Sequence, residues 1–295
     1  MERGKFNTDL PSKIAEFEAL VNKIFPKKMF YRTLLRGKGL EFDTYRSFGS
    51  DEDASLLDWK ASIRSNSLLA RQYIEERNLN VVFIVDVGEN MIFGSGDKLK
   101  CEYCTELVAA LSHVIVSGGD NVGFILFNDN LVKISPPVAS KKQFDILVYN
   151  LLDPYLYVGV SDLGSILDRV METLDPSVSM VILVSDFLRV NDEQKKSFER
   201  LGNIFETIAL MVRDPLDKTL PDLDKEVIIE DYNGERLLIN PSLIKKTYES
   251  NVQKQTLLVK EIFQKSNIDL LELDTMGDFV PSLANFLKRR VNRKN

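Results

Sequence analysis

The 295 residues include one histidine, one tryptophan and two cysteines, and each scarcity removes a class of chemistry. With His113 alone, expected on a helix face, no Ser-His-Asp triad can be argued, and four nitrogen or sulfur ligands for zinc cannot be found. Cys101 and Cys104 are too few and too close for a disulfide framework and fit a reducing, cytoplasmic compartment. A redox pair would sit at a helix start, where the thiolate is stabilised; these two are expected within a helix. Basic residues are also short. Thirty-eight Lys and Arg against 44 Asp and Glu leave a formal charge of −6, which opposes attraction to nucleic acid or anionic lipid. Nothing approaches the roughly 18 consecutive apolar residues of a membrane span, and the polar opening Met1-Glu2-Arg3-Gly4-Lys5 gives no sign of export. Gly94-Ser95-Gly96 lacks both the Lys of a phosphate loop and the full glycine spacing of a dinucleotide site.

What is present is a strong alternation of apolar runs and helical patterns. Leu10, Ile14, Phe17, Val21 and Ile24 recur at helical spacing behind Asp9 and Pro11, so residues 10 to 24 read as an amphipathic helix. Residues 28 to 78 carry no sustained period and suggest short strands and turns. Residues 1 to 78 are therefore expected to form an N-terminal extension on a main domain over 79 to 295. From Val81 the apolar run to Val85 ends at Asp86, as in a strand buried on both faces. A helix over 98 to 117, a second strand over 122 to 127 and a short alternating strand over 131 to 134 follow, the last suited to an antiparallel edge.

Helices are expected near 141 to 152 and after Ser161, then a strand from Met180 to Ser185. Asn191 and Gly202 bracket a further helix before the strand Phe205 to Val212. An inserted hairpin near 226 to 240 turns at Asn233-Gly234. Asn240-Pro241 then opens a long helix, followed by the strand Ile268 to Leu273 and the helix Phe279 to Val291. The fold class is thus α/β, a Rossmann-like, mostly parallel six-stranded sheet with helices on both faces. Right-handed crossovers order its strands third, second, first, fourth, fifth, sixth. Ligands gather at the carboxyl ends where that order reverses, between the strands ending at Asp86 and Ser185. Asp86, Asp186 and the Gly159-Val160-Ser161-Asp162 loop should meet there. Their oxygens suit a hard divalent cation such as Mg2+.

Asp86-Val87-Gly88-Glu89-Asn90 after a buried strand resembles the metal-ion-dependent adhesion site of von Willebrand factor A domains. That site has Asp-x-Ser-x-Ser there, a Thr in a second loop and an Asp in a third. Gly88 and Asn90 replace the two hydroxyl residues, Ser161 replaces the Thr, and Asp186 stands in place. Upstream, Glu41-Phe42, Tyr45-Arg46, Asp51-Glu52-Asp53, Asp58-Trp59, Ser62-Ile63-Arg64 and Glu75-Glu76-Arg77 follow the order of the domain of unknown function 58 family. The resemblance implies a cytoplasmic, non-enzymatic A-type module that partners a MoxR-type AAA+ ATPase. It assigns Asp86, Ser161 and Asp186 to a metal site, which Asn90 would join through its carbonyl oxygen; Gly88, Glu89 and Asp162 beside them are the candidate partner contacts. Arg46, Asp58, Trp59 and Arg64 are signature positions whose plainest role is structural: Trp59 as a core anchor, the charged three as ties between extension and sheet.

Two functions follow. A binding module would receive a partner's acidic side chain through a cation, or a basic one directly on the carboxylates. A metal-dependent phosphoester hydrolase would use Asp86 as nucleophile with Asp186. Such enzymes carry Asp-x-Asp, and Gly88 removes the second carboxylate, which ranks this reading below the first.

Overall fold

A computed structural model describes residues 5–24, 41–48, 57–65, 67–74, 79–138, 140–230 and 235–292. The Asn233-Gly234 turn, the Asp51-Glu52-Asp53 and Glu75-Glu76-Arg77 segments and the C-terminal Arg293-Lys294 lie outside these. In chain order the regular elements begin with α1 (Leu10–Ile24), β1 (Glu41–Ser47), α2 (Trp59–Ser65) and β2 (Leu69–Ile74). The main body continues with β3 (Asn80–Asp86), α3 (Lys100–Ser117), β4 (Asn121–Phe127), β5 (Leu131–Val138), α4 (Lys141–Leu151), α5 (Leu163–Thr173) and β6 (Met180–Ser185). It ends with α6 (Lys195–Ile204), β7 (Glu206–Arg213), the hairpin β8 (Val227–Glu230) and β9 (Arg236–Ile239), α7 (Pro241–Lys265), β10 (Ile268–Asp274) and α8 (Phe279–Asn292). Among the described residues, no helix is long and apolar enough to cross a membrane.

Six strands form the central sheet in the order β10-β7-β6-β3-β4-β5, parallel throughout except for β5. This is the order the sequence implies, with its reversal between β3 and β6. The alternation of β3 explains why both faces are covered. Val81, Phe83 and Val85 join the cluster under α1, α3 and α8, while Val82 and Ile84 join the cluster under α5, α6 and α7. Each face excludes water from continuous apolar surface, which is the main stabilising term. The edge strand β5 carries Pro136-Pro137, tolerated because an edge needs no further donors. Gly123 of β4 lies under that proline pair, and a Cβ there would stand 2.7 Å from Pro137 N.

The chain divides into two compact units, one of residues 1–35 with 79–295 and the other Arg36–Asn78. The N-terminal helix therefore belongs to the sheet's body and does not share one extension with residues 36–78. Phe17 and Val21 of α1 are buried in its core. Ahead of α1, Asn7 N and Asp9 N donate to the carboxylates of Glu102 and Glu106 on α3, at 2.5 and 2.7 Å. Gly202 does not end a helix as its residue type suggests. It lies inside α6, where a Cβ would come within 1.8 Å of Ser266 O, so close packing and not a turn requires glycine.

In the smaller unit, β1 and β2 pair antiparallel. Asp58 caps α2, its Oδ1 accepting from Lys60 N and Ala61 N at 3.0 and 3.1 Å while its Oδ2 accepts from Tyr45 Oη at 3.1 Å. Trp59 is 65% exposed and not a core anchor. It lines an open hollow with Ile63 and Leu68. Arg64 is exposed on the same helix, and Arg46 lies on β1.

Candidate functional site

Strands β3 and β6 are neighbours, so Asp86, the last residue of one, and Asp186, just past the other, arrive at the same sheet end. Asp86 is buried and accepts four hydrogen bonds. Its Oδ1 takes Gly88 N at 2.9 Å and Ser161 Oγ at 2.5 Å, and its Oδ2 takes Ser185 Oγ at 2.7 Å and Asn90 Nδ2 at 3.3 Å. Asp186, equally buried, accepts Leu188 N on Oδ1 at 3.0 Å. Its Oδ2 takes Asn90 Nδ2 at 2.9 Å and Lys100 Nζ at 2.8 Å. Lys100 also reaches Asp217 Oδ2 at 3.0 Å, and its ammonium stands 5.6 Å from the centre of the Phe93 ring.

The electrostatics follow from these contacts. Burial, and then the charge of Asp186, push Asp86 up to about 6, against the pull of Ser161, Ser185 and Gly88 N. Burial acts on Asp186 in the same direction, but the charge and hydrogen bond of Lys100, with Asn90 and Leu188 N, hold it below the usual carboxylate range. Lys100 is likewise penalised by burial, and Asp186 and Asp217 more than offset this, so its pKa is raised. Lys100 touches Asp186 and not Asp86. That asymmetry sets the two carboxylates apart.

The surrounding loop is held in place by Arg213. Its Nε donates to Asp186 O at 3.0 Å, and its other nitrogens bond Thr256 Oγ1 and Gln255 Oε1 at 2.6 and 2.8 Å. Gln255 in turn donates to Phe187 O at 2.7 Å. Phe187 has φ 51°, a left-handed conformation costing about 1 to 3 kcal/mol for a bulky residue, and these clamps together with Phe263 against its ring hold it there.

The sequence-derived residues Asp86, Ser161, Asp186 and Asn90 are thus brought together, Ser161 through Asp86. Gly88 is buried beside them, and a Cβ on it would meet Asn90 Oδ1 at 2.4 Å and Ser161 N at 3.0 Å. Glu89, half-buried, and Asp162, exposed, sit in the loops that follow Asp86 and Ser161. Glu89 N donates to Gly159 O at 2.9 Å, and Asp162 is exposed and caps α5 through Ser165 N at 3.3 Å. Sequence reasoning missed Lys100, Ser185, Asp217 and Arg213. A lysine leading the apolar stretch of α3 was the available signal for the first. The cysteine pair also sits differently from expectation, at the start of α3, because that helix begins at Lys100. Burial nevertheless pushes the Cys101 thiol up to about 12 and Cys104 well above its ordinary value, which opposes thiolate formation.

The donor set does not fit a divalent cation as it stands. The group aimed at both carboxylates is the Asn90 amide nitrogen, whose protons repel a cation; turning the amide over would set its oxygen against both carboxylates. Asn90 Oδ1, buried and without a hydrogen-bond partner, faces the space over Gly88. Among the described residues no group of three or more His, Cys, Asp or Glu is placed to hold a metal.

A doubly wound, mostly parallel sheet with one antiparallel edge and paired carboxylates at its switch point defines an open α/β protein with its site at the carboxyl ends of the strands. The chain belongs to the family described as protein of unknown function DUF58, whose model matches residues 44–257. It is 23% identical over 261 residues to the uncharacterized protein Rv1480 of Mycobacterium tuberculosis, covering 87% of this chain and 81% of that protein. Solved structures similar to it include the conserved hypothetical protein BatB of Bacteroides thetaiotaomicron, at 12% identity and a TM-score of 0.49 over 73% of this chain and 100% of that one. A von Willebrand factor type A protein of Catenulispora acidiphila matches at 12% identity and a TM-score of 0.35, over 75% and 43% of the two chains.

Proposed function

We propose that the chain is a cytoplasmic, non-enzymatic protein-binding module whose contact surface is the rim of the Asp86–Asp186 notch, and whose partner is a MoxR-type AAA+ ATPase. The observation that carries the reading is the size of the notch. Its free space is about 10 Å3, room for about one water molecule, so a ligand meets the rim and does not enter. Around it the loops expose Phe93, Val158, Asp162 and Arg189, a mixture of apolar and charged groups suited to a protein surface. The three buried carboxylates Asp86, Asp186 and Asp217 exceed the two buried cations Lys100 and Arg213. That excess of buried negative charge favours a basic residue of the partner. The ATPase as partner, and not another protein, rests on the family resemblance. Two free cysteine thiols support the cytoplasmic assignment. The hydrolase reading is weaker because both oxygens of Asp86 are engaged by donors that an attacking carboxylate would have to shed.

The test is the affinity of the full chain for the MoxR-type ATPase of its own organism, measured by titration calorimetry. Changing the rim by Glu89→Lys with Asp162→Asn, which keeps the cap on α5, is expected to weaken binding about tenfold or more. Undetectable binding of the unaltered chain, or equal binding of the variant, contradicts the proposal.

A further inference from the structure

Lys100 opens α3, a helix whose next twelve residues are all buried. A lysine in such a setting is costly unless its charge is matched, and here the ammonium lies between Asp186 and Asp217 at 2.8 and 3.0 Å with 1% of the residue exposed. Its neighbour in the notch is the Asn90 amide, which donates to Asp86 and Asp186 from the position between them. Gly88 and Asn90 depart from the hydroxyl residues of the adhesion-site pattern together, and the geometry links the two changes. The carbonyl end of Asn90 occupies the place where a side chain at position 88 would begin.

From these contacts we infer that the Lys100 ammonium and the Asn90 amide together take the place of a divalent cation, so that the notch is complete without metal. Charge and hydrogen-bond direction agree on this. The ammonium supplies positive charge to Asp186 and Asp217, and the amide supplies protons to Asp86 and Asp186. The second carboxylate on Lys100, Asp217, comes from the turn after β7, a loop outside the three that form the adhesion-site pattern, so the substitute has its own anchoring residue. Asp217 is itself fixed by Asp214 N, which donates to the same oxygen at 2.9 Å. The inference concerns the chain alone and stands whether or not the rim binds the proposed partner.

The experiment is a Mn2+ titration of the full chain, read by electron paramagnetic resonance of the free ion, beside Asp186→Asn and Lys100→Gln. The expected result is no Mn2+ uptake by the unaltered chain that Asp186→Asn abolishes, up to about 1 mM, the weak end of protein affinities for hard cations. Lys100→Gln frees two carboxylates and is expected to bind Mn2+ at least about tenfold more tightly than the unaltered chain. Stoichiometric uptake by the unaltered chain that is lost in Asp186→Asn overturns the inference, as does a folded Lys100→Gln that gains no affinity. Should Lys100→Gln not fold, the titration of the unaltered chain decides alone.

Discussion

Lys100 and Asp186 meet at 2.8 Å, Nζ to Oδ2, with both side chains sealed from solvent at the carboxyl end of the sheet. Removing one partner of such a pair leaves an uncompensated buried charge. Lys100→Met is therefore expected to destabilise the chain by about 3 to 5 kcal/mol, measured by urea denaturation near pH 7. A loss below about 1 kcal/mol, the range of an exposed pair, would mean that the ammonium does not support the notch.

Gly88 and Asn90 should behave as one unit. A Cβ at position 88 would lie 2.4 Å from Asn90 Oδ1, so Gly88→Ser alone is expected to cost about 1 to 3 kcal/mol through overpacking. Shortening the opposing side chain by Asn90→Ser makes room for it. The double variant is expected to be less destabilised than the sum of the singles by about 1 kcal/mol, and additive losses in a double-mutant cycle would refute the linkage.

The buried carboxylates fix the direction of the pH dependence. Asp86 and Asp120 are both pushed up to about 6, each chiefly by burial, against an ordinary value of 3.8. Between those limits the folded state binds protons that the unfolded state does not, so stability rises as the pH is lowered from 7.5 toward 5. Asp186 works in the opposite sense, but its contribution is lost only on acidification through the unfolded value of 3.8 and below. Urea midpoints at pH 7.5 and 5.5 should differ in this direction by the equivalent of about 1 to 3 kcal/mol. Asp120→Asn, which keeps the acceptor for Leu79 N, should remove a substantial part of the difference. Stability that falls over this interval, by the same amount in the unaltered chain and in Asp120→Asn, would contradict this account.

Much of the sheet was legible because its strands are unmixed apolar runs ending in punctuation. Val81 to Val85 closes at Asp86, Met180 to Val184 at Ser185, and right-handed crossovers with an edge hairpin then favour the strand order that is observed. The meeting of Asp86, Ser161, Asp186 and Asn90 follows from that order. Lys100 was not legible, because nothing in local spacing links it to Asp186 or Asp217, 86 and 117 residues away. Gly202 misled for a related reason. Its residue type marks a helix end as readily as a close approach, and only the position of Ser266 O distinguishes them. Trp59 was expected inside on residue type alone, but it is exposed, beside the exposed Ile63 on the same short helix.

The central claim is that the rim of a self-contained notch binds a protein without help from a metal. The most direct measurement is the dissociation constant of the chain with its MoxR-type ATPase, determined by calorimetry in excess EDTA and again in Mg2+ after the ATPase has been preloaded with nucleotide. The account predicts the same affinity in both, within about a factor of two, and weaker binding for the Glu89→Lys, Asp162→Asn variant in each. Binding that vanishes in EDTA and returns with Mg2+, in a manner that Asp186→Asn abolishes, would contradict it.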